Sequence, residues 1–381
     1  MTNPRLTILL GALAVATPAG LNGQSGTYFR TAVLYESYSF GDGFTFGKAS
    51  QLSIPFGASV RLGRMNSFAI SSGYTRVEVE STAGSQTLSG MLDTQARWSL
   101  ELISGQLIVL FTGTIPTGHR TIATDDQAIL GAISSDVIGF SSPSVGSGGD
   151  VGGGLVGAVP LGRWAFGFGA TFNQPVPYQP LEGTDADLRP GAELRFRGGL
   201  EGPLGRRTYL RLAGIFARRS NDQVRPTSGD WEARNGVGNR ITGYIALNQG
   251  IGNASLTIYG IDVFRSDPQI EATAVGAAAL PRGNLLASGL QIAIPVGAST
   301  TIMPKGEFRA SWQAPDPSTQ SIEKAGQTMR FGLKVEQRLS PQFALVVQGS
   351  GLTGSVYPVL GDPTSIDLSG YRFGAHLQVN P

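Results

Sequence analysis

The chain has 381 residues, a net charge of +2, only 15% charged side chains, 54 glycines, two histidines and no cysteine. Without cysteine it forms no disulfides, thiolate metal sites or lipid attachment through an N-terminal Cys. The net charge decides nothing about nucleic acid, but no basic run interleaved with aromatics supports a nucleic-acid surface, and none is expected.

Residues 1–25 carry the marks of a secretory signal: a basic start ending at Arg5, an apolar run over 6–16, and small residues around Ala19 and Gly23. Pro18, Asn22 and Gln24 interrupt the run before the ~20 apolar residues a spanning helix needs. The remaining 26–381 contain no long apolar stretch, so a helical membrane protein is excluded and a β-rich one remains.

Strict period-2 alternation follows. In 91–103, Asp93, Gln95, Arg97, Ser99 and Glu101 alternate with Leu92, Thr94, Ala96, Trp98, Leu100 and Leu102. In 329–338, Arg330, Gly332, Lys334, Glu336 and Arg338 oppose Met329, Phe331, Leu333, Val335 and Gln337. In 371–379, Arg372, Gly374, His376 and Gln378 oppose Tyr371, Phe373, Ala375, Leu377 and Val379. A soluble sandwich alternates too, so connection lengths decide.

Seven short turns fall at 61–64, 103–105, 160–163, 203–206, 249–253, 295–298 and 338–341. Eight longer polar connections alternate with them, near 41–48, 79–88, 116–148, 176–188, 220–237, 267–283, 314–326 and 353–367. Fifteen connections join sixteen strands, the signature of an all-β, antiparallel, up-and-down outer-membrane barrel with short periplasmic turns and long extracellular loops. Fourteen strands is the alternative, if one glycine-rich hairpin is loop. Phe68, Trp164, Tyr209 and Phe343 each follow a short turn, the height of a periplasmic aromatic girdle.

The longest connection, 116–148, holds one helix pattern, with Thr124 as N-cap, Asp125 and Asp126 in the first turn, and Ile129, Ile133 and Val137 on one face. Two placements fit it: folded into the barrel mouth as a constriction, or packed over the rim.

Ser89-Gly90-Met91-Leu92-Asp93-Thr94, then a strand, then Ile115-Pro116-Thr117-Gly118, then the glycine-rich 146–152 and a hairpin over 160–172, resembles the phenol meta-pathway degradation transporters. That family of outer-membrane barrels is distantly like the long-chain fatty acid transporters. The likeness covers roughly 88–220. It implies a barrel that admits small, often hydrophobic molecules. Two departures stand out: Tyr28 begins a strand with no room for a fatty-acid-type N-terminal plug, and the chain ends Val379-Asn380-Pro381 rather than on an aromatic.

Taking the polar face of each strand as inward lines the lumen with Asp93, Arg97, Glu101, Glu193, Arg195, Arg197, Arg211, Lys305, Glu307, Arg309, Arg330, Lys334, Glu336, Arg338 and Arg372, ten basic and five acidic. Two readings follow: these charges pair extensively across the lumen and stiffen the wall, or the basic surplus favours anionic solutes. Arg97, Glu101, Arg195, Arg197, Arg211, Arg309, Arg330, Lys334 and Glu336 are the candidate solute-binding residues. Neither His119 nor His376 has an evident Ser or Asp partner, so no catalytic role is expected, and nothing implies a cofactor or metal. The expected function is a channel or transporter for small hydrophobic or amphipathic, including anionic, molecules. The alternative is a structural or adhesive barrel with a blocked lumen. Expected partners are outer-membrane lipid, small solutes and the barrel-assembly machinery; oligomeric state is not legible.

Overall fold

A computed structural model describes residues 27–379, apart from 82–83, 104, 120, 124–125, 147, 184–185, 227–228, 234–235, 269–280 and 316–320. The segment read as a signal, and the final Asn380-Pro381, lie outside the described residues.

The strands are β1 Tyr28–Phe40, β2 Lys48–Leu62, β3 Asn66–Ser81, β4 Gly84–Met91, β5 Thr94–Ile103, β6 Leu107–Ile115, β7 Asp150–Leu161, β8 Trp164–Pro175, β9 Asp187–Arg189 and β10 Glu193–Pro203. There follow β11 Thr208–Arg219, β12 Gln223–Arg225, β13 Glu232–Ala233, β14 Arg240–Ile251, β15 Ala254–Arg265, β16 Gly283–Val296, β17 Thr300–Gln313, β18 Glu323–Arg338, β19 Phe343–Val356 and β20 Ile366–Val379. One helix, α1 Gln127–Ile133, lies between β6 and β7.

Antiparallel pairing runs around the whole sheet. β1 pairs with both β2 and β20, from Phe29 opposite Val379 to Phe40 opposite Leu368, and so closes the barrel without an edge. β4 and β5 both pair with β3 and form one interrupted stave, giving the sixteen staves expected. Among the described residues no helix is long and apolar enough to cross a membrane.

All seven short turns are present. Five carry a glycine at positive φ, among them Gly162 at 63° and Gly252 at 59°, a region a Cβ disfavours. Three elements differ from the sequence reading. The connection near 79–88 is mostly strand, because β3 continues to Ser81 and β4 starts at Gly84. Its outward row, Glu78, Glu80, Ser85 and Thr87, is polar, with Glu80 paired to Lys48 at 3.0 Å, and so it reads as loop although Val79 and Leu88 face inward. The strand expected over 90–103 breaks at Leu92-Asp93, where β3 offers one residue fewer than its partner. The connections near 176–188 and 220–237 contribute β9, β12 and β13, a small three-stranded sheet above the barrel.

The outer face carries the apolar half of the alternation: Val151, Phe331, Leu333 and Phe373 expose 59, 63, 46 and 57% of their surface. A continuous band of this kind on a closed barrel is a lipid-facing surface. Of the four girdle aromatics, Phe68, Trp164 and Phe343 share register with outward Val60, Leu161 and Val379. Tyr209 does not. Its alternation follows Arg211, which pairs with Glu201 and Ala246, so it faces the lumen. Asp262 departs from the apolar rule: it opposes outward Gly243 and Leu286, three residues below the end of β15.

Candidate functional site: a loop bound inside the barrel

The 116–148 connection enters the lumen rather than covering the rim. Its helix begins at Gln127 with Asp126 as N-cap, and no side chain caps it. Thr124 and Asp125, expected at its start, lie outside the described residues. The apolar face is as expected: Ile129, Ile133 and Val137 are 0, 0 and 5% exposed. They join Ile138, Phe140 and Val145 in one cluster with Phe40, Val77, Val79, Leu88, Leu352 and Leu368 from the inner faces of β1, β3, β4, β19 and β20. Burying each large side chain contributes about 1.5–3 kcal/mol. This is the molecule's main apolar core, and it sits inside the barrel's extracellular half.

Below it the chain passes through a turn, closed by the Gly139 N–H on the Ser135 carbonyl at 3.0 Å, and its backbone is held residue by residue. Arg309 donates to the Asp136 carbonyl at 3.1 Å, Thr328 to Val137 at 3.2 Å, Arg330 to Ile138 at 3.1 Å and Arg372 to Gly139 at 2.8 Å. From the other side, Glu36 accepts the Ser141 N–H at 2.9 Å. Gln51 both accepts from the Ser142 N–H (2.9 Å) and donates to its carbonyl (2.7 Å), while Ser53 and Ser142 hydroxyls meet at 3.0 Å. Arg330 and Arg372 stand halfway along β18 and β20, so the loop reaches the middle of the barrel. Its tip turns at Gly139, φ 63°, where an added Cβ would overlap the Arg309 guanidinium.

The wall groups that grip the loop also grip each other. Arg372 bonds Glu36 at 2.6 Å, Tyr38 donates to Glu36 at 2.8 Å, and Arg330 donates to the Tyr38 hydroxyl at 3.0 Å. Glu36 and Tyr38 are fully buried, and Phe140 meets the Tyr38 ring edge-on at 4.9 Å. Charge-assisted bonds of this sort contribute about 1.5–3 kcal/mol each, and removing one partner of a buried pair costs about 3–5 kcal/mol.

The base of the loop is fastened by the two motifs that carry the family resemblance. Thr117 donates to the Leu92 carbonyl at 2.8 Å and meets the Thr94 hydroxyl at 2.9 Å. The Gly118 N–H donates to the Asp93 carboxylate at 2.9 Å, and His119 Nε2 contacts the Ser89 carbonyl at 2.8 Å. The break between β4 and β5 therefore places Asp93 to catch the chain as it turns inward from β6. Asp93 is thus an anchor rather than a rung of the lumen lining. Gly118 fits because a Cβ there would stand 2.6 Å from the Val145 carbonyl. Gly118→Ala is expected to cost about 1–3 kcal/mol through forced backbone movement. It should lower the temperature at which the barrel loses its compact gel mobility, whereas an unchanged midpoint would mean that this fastening contributes nothing.

The other lumen residues are placed as the alternation requires. Arg97 is opposite Ala69 and Thr112; Arg195 and Arg197 lie opposite Ala217 and Ile215; Lys334 is opposite Gln348, and Glu336 opposite Thr301 and Val346. Glu101 sits at a bulge and accepts the Gly105 N–H in the periplasmic turn. Among the described residues the lumen ion pairs join neighbours rather than crossing the lumen. Arg195–Glu193 and Arg309–Glu307 join neighbours on one strand, and Arg211–Glu201 and Arg372–Glu36 join adjacent strands. A barrel of sixteen staves is too wide for side chains to bridge, whereas adjacent strands lie ~4.8 Å apart. His376 contacts Gln348 at 3.0 Å. Sequence reasoning missed Glu36, Tyr38, Gln51 and Ser53.

What fold and site together define is a closed membrane-type β-barrel with one extracellular loop bound inside. No family model and no curated protein matches the sequence. Among solved structures, the chain is similar to a Pseudomonas aeruginosa FadL homologue, with 8% identity, TM-score 0.47 and coverage of 97% of this chain and 94% of that one. It is similar to the P. putida toluene transporter TodX at 10% identity and TM-score 0.42, covering 97 and 94%. It also resembles OmpT, an outer membrane protein of Vibrio cholerae, at 11% and 0.39, covering 94 and 99%. Likeness at this level leaves the functional argument to the geometry.

Proposed function

We propose that the protein is an outer-membrane channel that passes small amphipathic or hydrophobic molecules along the side of the lumen that the inserted loop leaves uncovered. The observation that carries this reading is the asymmetry of the filling. On β1–β4 and β18–β20 the inward side chains around the loop are buried. On β10–β15 the inward Glu201, Ala217 and Ala246 are buried, but Arg195, Arg197, Ile215, Tyr244, Ile261 and Val263 keep intermediate exposure. That wall mixes apolar side chains with guanidinium groups, and Arg97 and Arg195 are near enough to Arg197 to act on it electrostatically. Such a lining suits a solute with an apolar body and a negative head, because low-dielectric walls focus the positive field into the passage.

Reversal potential across a planar bilayer under a salt gradient tests the electrostatic part. The expected sign is anion preference, abolished when Arg97, Arg195 and Arg197 are replaced by glutamine. Cation preference in the unaltered protein would contradict it. A second reading, an adhesive or structural barrel with a closed lumen, draws on the complete burial of Glu36, Tyr38 and Gln51 beneath the loop. Absence of conductance would favour it.

A further inference from the structure

The outer face has a second feature that the channel reading does not use. At the extracellular end of β15–β19, one outward row runs Phe264, Asn284, Trp312, Lys324, with each opposite the next across the sheet. Tyr357 follows, its N–H bonded to the Ala325 carbonyl beside Lys324. Arg282 continues the outward side of β16: its guanidinium lies 5.5 Å from the Phe264 ring centre, and Lys324 Nζ lies 5.8 Å from that of Tyr357. The row stands just above the apolar band, whose upper outward residues here are Phe308 and Met329. It is therefore at the height where hydrocarbon gives way to headgroups.

Aromatic rings alone would be an interfacial belt. The cations need more explanation. Lys324 Nζ donates to Gln327 at 2.7 Å, an uncharged partner, and an ammonium has three donors. Arg282 Nε and Asn284 Oδ1 are buried and without a hydrogen-bond partner among the described residues. The nearest outward acid in the register, Asp262, stands one row lower. Two cations and unsatisfied polar atoms, framed by three large rings at headgroup height, are complementary to an anionic oxygen-rich group on an acyl-chain body. Cation–ring contacts keep both positive groups at the interface without neutralising them.

We infer that this collar binds the phosphorylated headgroup of a glycolipid in the outer leaflet, with Arg282 and Lys324 contacting phosphate and Phe264, Trp312 and Tyr357 packing on sugar and upper acyl chain. The inference rests on the outer-membrane reading above. Its test keeps the two apart. The full chain is reconstituted in phosphatidylcholine vesicles containing either diphosphorylated lipid A or its dephosphorylated form. Insertion is scored by heat-modifiable gel mobility, and retained lipid A is measured by mass spectrometry after detergent extraction. The expected result is equal insertion in both vesicles, with the phosphorylated form retained about thirtyfold better, the combined effect of two interfacial cations. Arg282→Gln with Lys324→Gln should insert equally well and lose that preference. Equal retention of both lipids, or a preference unchanged in the double variant, overturns the inference. Failure of the unaltered chain to insert in either vesicle overturns the membrane reading, and the inference with it.

Discussion

Replacing Arg330 and Arg372 together by methionine is expected to raise single-channel conductance severalfold. The two guanidinium groups donate to the Ile138 and Gly139 carbonyls and to Tyr38 and Glu36, so the double variant loses two bonds to the loop and two within the wall that supports them. At about 1.5–3 kcal/mol each, the two loop bonds are worth about 3–6 kcal/mol to the inserted position. Glu36 would also remain buried without a counter-charge, at about 3–5 kcal/mol, relieved only when the loop leaves and water enters. A companion variant that adds Glu36→Gln removes that charge and should open less. Arg330→Met with Arg372→Met on an unaltered conductance trace would mean that the loop's apolar core holds it alone.

The second large effect uses the absence of cysteine. Ser53 and Ser142 face each other across the loop and wall, with hydroxyls 3.0 Å apart, and no native thiol competes. Ser53→Cys with Ser142→Cys is expected to form a disulfide on oxidation, read as a shift in non-reducing gel mobility. Built into the Arg330→Met, Arg372→Met background, the bridge should return conductance to its unaltered level when oxidised and release it when reduced. The closed loop spans 53–142, and cross-links of such length stabilise by about 4–5 kcal/mol in the chain-entropy picture. While oxidised it also ties residue 142 covalently to the wall, so the loop cannot leave whatever the lost bonds were worth. Conductance that ignores the redox state would show that the current does not pass by the loop.

The barrel was legible in the sequence because its physics is local. Lys334 and Phe331 announce opposite faces of β18 by alternation alone, and turns such as the one at Gly162 require particular backbone angles. The loop's apolar face was legible for the same reason, since Ile129, Ile133 and Val137 follow helical spacing. Its destination was not. Nothing in 116–148 distinguishes a lumen-filling loop from a rim cover, because the partners that decide it, Arg330 and Arg372, are about 200 residues away along the chain. Glu36, Tyr38 and Gln51 escaped notice because inward residues that face an inserted loop need not be charged. The row of Glu36 and Tyr38 on β1 runs Tyr28, Arg30, Ala32, Leu34, Glu36, Tyr38 and Phe40, mostly apolar, which lacks the polar signature of a wet wall, and Gln51 faces it from β2. Asp93 illustrates the converse error: alternation placed it in the lining, but the break after Met91 gives it to the loop instead.

The most direct test of the account is single-channel conductance of the purified chain in a planar bilayer, compared with a chain lacking residues 122–140. The account predicts a small steady conductance in the full chain and a severalfold larger one after deletion, because the segment occupies one side of the lumen and leaves the other open. No conductance in either chain would contradict it and assign the barrel to the closed, adhesive reading.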